Sequence, residues 1–281
     1  MSEITNDTLA AHAPWLHDFD LPAPLRVPMD ETLRTRIGQR KSLILPRIAA
    51  QFPNGRLDGL RVLDLGANAG FWAREMSALG ARVTCVESKR HNIAQAELIA
   101  RIIGDADLTW VESSAEEFLA RGERFDVVLC LGLLYHAADA FGLLRACAAA
   151  CADLLVVDSH CINDDAAYVE FRHEYTELPS QGISSMVTVP SRGAMYRMMK
   201  STGFAHLMEA ANVGNVPEDY RSFTRSLMLA RRSAPLAAMS ELDLLDERLD
   251  RVYPPLAAQG DLCRSVARPR GEDFYSGIRT A

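Results

Sequence analysis

The residues with the most definite chemical spacing are Asp64, Gly66, Asn68 and Gly70, at alternate positions, with Glu87 further on. Arg61 to Leu65 is a short, branched apolar run bounded by glycine, the pattern of a buried strand. Phe71 to Leu79 reads as a helix stopped by Gly80, and Arg82 to Val86 as a second strand ending on Glu87. Strand, glycine turn, helix, strand, acid is the layout of a nucleotide-binding α/β half. Its glycines let the backbone approach a ligand, and an acid about 20 residues on can hold a ribose diol. The turn excludes two nucleotide classes. A G-x-G-x-x-G turn starting at Gly66 needs glycine where Asn68 and Phe71 stand, and no G-x-x-x-x-G-K-[ST] phosphate loop occurs. Asn is the non-glycine residue best able to adopt a left-handed backbone, so position 68 can still turn.

Two histidines stand where a proton could be accepted. His136 follows a strand predicted over Phe125 to Leu131, and His160 follows one over Leu154 to Val157. Both would sit at the rim where open α/β sheets bind ligands, and imidazole titrates near neutral pH. Plainer readings stand beside these: His136 as a structural part of a Tyr-His turn, and His160 as an exposed loop residue. Residues 159–190 form a long segment between the fifth strand and the next helix, and insertions at such a point usually cover a substrate. His173 and Tyr175 in that segment, with Tyr135, are the candidate substrate contacts. Asp158, Asp164 and Asp165 have the oxygen chemistry of a Mg²⁺ site, but a solvated acidic loop accounts for them more simply, and no metal is expected. Cys147 and Cys151, four apart among alanines, read as small packing residues rather than ligands.

These groups need a scaffold, and the remaining pattern supplies one. A helix over Lys89 to Ile103, a strand over Leu108 to Val111, and a helix capped by Asp139 continue the alternation. A helix from Ser191 to Thr202 closed by Gly203, then strands over Phe204–Glu209 and Ser226–Ala230, complete it. The fold class expected is α/β: a Rossmann-like, doubly wound, mostly parallel seven-stranded sheet with an N-terminal helical cap and a C-terminal extension. Prolines 14, 22, 24 and 28 make residues 11–28 an extended arm whose Trp15 and Phe19 should pack on something. Asp30 is positioned to cap a helix carrying Leu33, Ile37, Ile44 and Ile48 on one face, which Pro46 should kink or divide. The domains expected are a cap over 1–58, a nucleotide-binding unit over 59–232 and an extension over 233–281. Leu242, Leu245 and Leu249 in that extension suggest a short helix. The basic tail with Arg264, Arg268 and Arg270 is open between a lid, a contact in a homodimer, and disorder.

Composition narrows the function classes. A net charge of −7 and no basic run interleaved with aromatics argue against nucleic acid as the main partner. No apolar run approaches a membrane span, and Met1 to Ala10 has neither the basic start nor the apolar core of a secretory signal. Six cysteines without paired spacing fit reduced thiols, so a cytoplasmic location is expected.

Asp64-x-Gly66-x-Asn68-x-Gly70 resembles the D-x-G-x-G-x-G signature of class I S-adenosylmethionine-dependent methyltransferases, with asparagine for the middle glycine. The run Phe125-Asp126 to Leu134-Tyr135-His136, F-D-x-V-x-x-x-G-x-L-Y-H, resembles the fourth-strand motif of a subgroup that includes the tRNA wobble-uridine carboxymethyltransferase. Pro190-Ser191 leading to Gly203-Phe204, and the segment Trp15 to Leu21, are similar to two further elements of that subgroup, so the likeness covers residues 15–232. The resemblance implies S-adenosylmethionine as cofactor. Asp64, Gly66, Ala67, Asn68 and Gly70 would pass under its methionine portion, Glu87 and Ser88 would meet its ribose, Ser114 and Ala115 its adenine, and Leu131 and Gly132 would lie near the sulfonium. Ser114 replaces the usual acid there and reads equally well as a helix N-cap. The expected activity is methyl transfer to a small molecule of the kind found in specialised metabolism, with His136 or His160 as base. Two alternatives stand beside it: a tRNA-modifying enzyme with a carboxylated cofactor, for which the sequence places no basic counterparts, and a non-catalytic cofactor-binding module.

Overall fold

The computed structural model describes residues 4–104, 107–178, 180–211 and 214–253. Five strands alternate with helices as the pattern requires. They are β1 (Arg61–Leu65), β2 (Arg82–Glu87), β3 (Leu108–Glu112), β4 (Phe125–Leu131) and β5 (Cys151–His160), with α3 (Phe71–Ala78), α4 (Arg90–Ile103), α5 (Ala115–Leu119) and α6 (Ala140–Ala150) between them. Before them come α1 (Asn6–Ala10) and α2 (Glu31–Ala49). After them come β6 (Val169–His173), β7 (Met186–Pro190), α7 (Arg192–Ser201), β8 (His206–Glu209), α8 (Glu218–Arg221), β9 (Arg225–Arg231), β10 (Leu244–Leu245) and α9 (Asp246–Val252).

The main sheet has the order β10-β8-β9-β5-β4-β1-β2-β3. Pairing is parallel from β5 through β3 and antiparallel where β9 lies between β5 and β8. The carboxyl ends of the parallel strands and the start of β9 therefore share one rim, where Arg225 pairs with His160. The alternating side chains of a strand build two cores. Leu63 and Leu65 pack with α5, α6 and α7, whereas Val62 packs with α2 and α3. A third, smaller core joins Leu9, Trp15 and Val27 of the N-terminal segment to Leu98 and Ile99 of α4, so the arm is docked as its aromatics suggested.

The structure adjusts the expected pattern at several places. The sheet gains an eighth strand, because Leu244 and Leu245 pair with β8 rather than opening a helix. The helix starts only at Asp246, whose carboxylate accepts from Leu207 N at 2.8 Å and fixes the extended entry. Pro46 does not divide α2, which runs on to Ala49: Ile44 and Ile48, on either side of it, are both fully buried, and their packing outweighs the lost hydrogen bond. The long segment after β5 carries its own two-stranded antiparallel sheet, β6 with β7. The tail arginines 264, 268 and 270 lie outside the described residues.

Candidate active site

A cavity of about 260 Å³ opens along the carboxyl ends of β4, β1 and β2. Of the residues singled out above, Gly66, Asn68, Glu87, Ser88, Ser114, Ala115, Leu131, Gly132, Tyr135 and His136 line it. Asp64, Ala67 and Gly70 do not; they shape the turn beneath it. Gly66, Asn68 and Gly70 are all left-handed, at φ of 67°, 53° and 84°, which explains their alternation. Gly66 N and Ala67 N both donate to Val86 O, at 2.9 and 3.0 Å, tying the turn to the end of β2. A Cβ on Gly70 would stand 2.9 Å from Trp110 Cζ2, so glycine there is required by packing as well as by φ.

Glu87 completes the turn. Its Oε2 accepts from Asn68 N at 2.9 Å and its Oε1 from Lys89 N at 2.7 Å. A carboxylate has about four acceptor sites, so two remain for a vicinal diol. Beneath it Asp64 is 1% exposed and its Oδ2 has no hydrogen-bond partner. Burial first, and Glu87 second, push its pKa up to about 7. Two neighbouring carboxylates, one with an orphaned oxygen, suit a ligand that brings positive charge to this end. Ser114 Oγ accepts from Glu117 N at 3.1 Å as the α5 cap, and the residue also lines the cavity.

The walls come from segments remote in sequence. Leu16 and His17 of the arm reach the cavity. His17 stacks on Phe71 with centroids 5.1 Å apart and sets Nδ1 3.4 Å from Asn68 Oδ1. Burial, then Arg40, hold its pKa down to about 3, so the ring is neutral. On the far side residues 181–184 close over His136. Glu174 organises this edge: Oε1 meets His136 Nδ1 at 2.6 Å, and Oε2 accepts from Gly182 N at 2.8 Å. His173 and Tyr175, expected to meet substrate, do not line the cavity; both are exposed and pack edge to face, 5.5 Å apart. Side chains in extended backbone alternate, and it is Glu174 that turns inward while His173 and Tyr175 turn out.

The two histidines separate. His136 lines the cavity with Nδ1 engaged by Glu174, which leaves Nε2 as its free nitrogen; burial pushes its pKa below the usual value, against the pull of Glu174. His160 does not line it. Its ring stands edge-on to Tyr135 at 4.8 Å, with Nδ1 3.2 Å from Thr224 O, and burial followed by Arg225 lowers its pKa to about 4.

Asp158 is no solvated loop acid. It is fully buried at the end of β5, where Oδ1 accepts from Tyr220 Oη at 2.6 Å and Oδ2 from Arg225 Nη2 at 2.7 Å and from Arg40. Burial disfavours its charge, but Arg225 and Arg40 outweigh that and hold the carboxyl well below its ordinary range. Arg36, Arg40 and Arg225 all line the cavity, so the structure supplies the basic side chains that the sequence could not place. One signal was legible: Arg40 lies three residues from Ile37 and four from Ile44, on the apolar face of α2. Among the described residues no group of three or more His, Cys, Asp or Glu is placed to hold a metal ion. Nor is any described helix long and apolar enough to cross a membrane.

The family described as "Methyltransferase domain" matches residues 32–209, more than half of the chain, and the chain belongs to it. A ubiquinone biosynthesis O-methyltransferase of Cereibacter sphaeroides (strain KD131 / KCTC 12085) is 37% identical over 113 residues, 38% of this chain and 45% of that protein. One from Caulobacter sp. (strain K31) is 37% identical over 115 residues, 39% of this chain and 45% of that protein. The chain thus spans less than half the length of these relatives. Among solved structures, the N-terminal domain of EvdMO1 in the presence of SAH and D-fucose aligns with a TM-score of 0.62 at 19% identity, covering 81% of this chain and 95% of that one. Magnesium protoporphyrin IX methyltransferase (ChlM) from Synechocystis PCC 6803 with bound SAM aligns at 0.50 and 16% identity, over 72% and 83%. At these identities the likeness establishes the fold.

Proposed function

We propose that the protein transfers a methyl group from S-adenosylmethionine to a small-molecule acceptor. The observation that carries this reading is Glu87 at the end of β2, tied to Asn68 N and Lys89 N with two acceptor sites to spare, beside a left-handed glycine turn. The names of the relatives, ubiquinone biosynthesis O-methyltransferases, support a small acceptor, and the SAH and SAM of the structural neighbours support the cofactor. In this reading the unit over 59–232 binds the cofactor and the arm and helix before it close over it. The five described cysteines are free thiols, which fits a reducing cytoplasm.

When bound, S-adenosylmethionine supplies an electrophilic methyl on a sulfonium. Glu87 holds the ribose hydroxyls, Ser114 and Ala115 face the adenine, and Asp64 with Glu87 favours the positive charge of the methionine portion. His17, the arm and residues 181–184 exclude water and hold the reactants in line, which is where most of the acceleration of such a displacement arises. His136 Nε2 accepts the acceptor's proton where there is one to lose, while Glu174 fixes the ring and steadies the charge that forms.

Calorimetry should give one molecule of S-adenosylhomocysteine bound per chain, and labelled methyl from S-adenosylmethionine should enter a metabolite extract. Strong NADH binding, or none of S-adenosylhomocysteine, would remove this reading. A second reading has one observation in its favour. Arg40 and Arg225 beside Tyr135 suit a carboxylated donor such as the carboxymethyltransferase subgroup uses. With 37 acids against 30 Lys and Arg, tRNA should not bind at micromolar protein near physiological salt; retention with a steep salt slope would favour that subgroup.

A further inference from the structure

Two guanidiniums in the cavity wall share one carboxylate. Asp158 takes Nε and Nη2 of Arg225 and Nη2 of Arg40, and it also takes Tyr220 Oη. Arg40 is 6% exposed and Arg225 1%, yet both line the cavity. Arg40 Nε is buried without a partner, and neither Nη1 donates to any described protein group. Among the described residues no unpaired carboxylate beside them supplies a second negative charge, Glu209 being taken by Arg192. His17 and His160 are neutral and burial keeps Tyr220 a phenol. Asp219 is engaged by Arg36, and Glu174 by His136 and Gly182. Two buried guanidiniums on one carboxylate leave one positive charge in excess, which is costly, and a guanidinium's planar fork matches an oxyanion in two-point contact.

The place of this charge indicates which reactant meets it. A Cβ on Gly132 would stand 3.4 Å from Arg225 Nη2, 3.8 Å from Arg40 Nη2 and 3.9 Å from Tyr135 Oη, so three donors converge on the end of β4. In the sheet order, Arg225 and Asp158 belong to β9 and β5 on one side of β4, whereas Gly66 and Glu87 belong to β1 and β2 on the other. Between β9 and β2 lie four strand intervals, roughly 19 Å across the rim. The cofactor-holding residues occupy one half of that span and the arginines the other. A sulfonium over Gly132 would be repelled by the arginines unless an anion stood between them.

We infer that the acceptor carries an acid group, a carboxylate or a comparably charged oxyanion, which Arg40, Arg225 and Tyr135 Oη hold beside Gly132. This rests on the methyl-transfer reading above. The same charge that anchors the acceptor neutralises the wall next to the sulfonium, so the site favours the two reactants together over either alone.

The test uses the full chain saturated with S-adenosylhomocysteine and titrated with benzoate, phenylacetate and hexanoate, each paired with its amide. At least one acid should bind tenfold or more tighter than its amide. That preference should shrink below threefold in Arg40→Gln and fall in Tyr135→Phe, which keeps the ring and removes only the hydroxyl. Affinity for S-adenosylhomocysteine should stay within about threefold of the wild type in both. No acid preference in a wild type that binds S-adenosylhomocysteine would overturn the inference while leaving the methyl-transfer reading standing. A tenfold loss of S-adenosylhomocysteine in both variants would also overturn it, assigning the arginines to the cofactor's own carboxylate. A wild type that binds no S-adenosylhomocysteine would remove both.

Discussion

Glu87→Gln separates the two roles that the geometry gives to one carboxylate. In the wild type each oxygen accepts one backbone N–H, from Asn68 at 2.9 Å and from Lys89 at 2.7 Å, and retains about one further site. An amide nitrogen in place of either oxygen can only donate, so one of those N–H groups must lose its acceptor. Leaving a buried N–H unsatisfied costs ~1–3 kcal/mol. At about 2–4 °C per kcal/mol for a chain of this size, the ligand-free protein should melt roughly 2–12 °C lower. The amide also removes one charged hydrogen bond to the ribose, ~1.5–3 kcal/mol, or about ten- to a hundred-fold in affinity for S-adenosylhomocysteine. Scanning calorimetry of the free protein reads the first effect and titration calorimetry the second. A 2′-deoxy analogue of S-adenosylhomocysteine couples them: the wild type should bind it more weakly than the parent, and the variant should discriminate less. If the melting point falls while both proteins discriminate equally, Glu87 only pins the turn and the ribose assignment is wrong.

Three further outcomes follow from the geometry. His136→Gln should lower turnover by roughly 10²–10⁴ without weakening S-adenosylhomocysteine binding, whereas His160→Gln, outside the cavity, should change little. Because the folded pKa of His136 is lowered, its ring is already neutral at pH 7; the wild-type rate should fall only as pH drops below the usual imidazole value, and normal turnover in His136→Gln would exclude it as the base. Asp158→Asn leaves two guanidiniums without their counter-charge and should cost ~3–5 kcal/mol, roughly 6–20 °C in melting temperature. The depressed pKa of Asp158 sets the sign: its contribution is complete above the ordinary carboxylate range and fades only as pH falls below it, so the melting curves of wild type and variant should converge in strong acid rather than near neutrality. Gly70→Ala forces a Cβ to within 2.9 Å of Trp110 Cζ2 at a positive φ and should destabilise by ~2–4 kcal/mol, read by urea unfolding; a change under ~1 kcal/mol would mean the turn relaxes freely.

What was legible in the sequence is what short-range pattern encodes. β1 and β4 fall on the expected residues, and the caps Asp30, Ser114 and Asp139 each accept a backbone N–H at a helix start. The glycine turn, its asparagine and Glu87 lie within 24 residues of one another, so their spacing alone fixes which strand ends they occupy. The other half of the cavity is lined from α2 and the start of β9 and backed by Asp158 of β5 and Tyr220 of α8, with Arg40 and Asp158 118 positions apart in the chain. No local period marks such a pairing. Asp158 looked like a loop acid because it follows an apolar run and precedes polar residues, and only the neighbouring strand reveals that β5 continues past it to His160.

The same contrast explains how the closing segment works. Residues 169–178 and 180–186 carry little apolar burial of their own: every residue of β6 is exposed, and so are Tyr175, Leu178, Ile183 and Met186, the buried Val187 and Val189 of β7 lying beyond them. A segment so thinly packed opens locally at low free energy unless specific bonds restrain it. Besides the pairing of β6 with β7, two restraints among the described residues start from the site. Lys89 Nζ, two residues beyond Glu87, donates to Thr176 O and Leu178 O at 3.2 and 2.5 Å. Glu174 binds Gly182 N with one oxygen and His136 Nδ1 with the other. Lys89, just beyond the end of β2, and the His136 imidazole are therefore two anchors of this wall. In the proposed reading, with His136 as the proton acceptor, Glu174 couples the orientation of the imidazole to the cavity wall, because one carboxylate holds both.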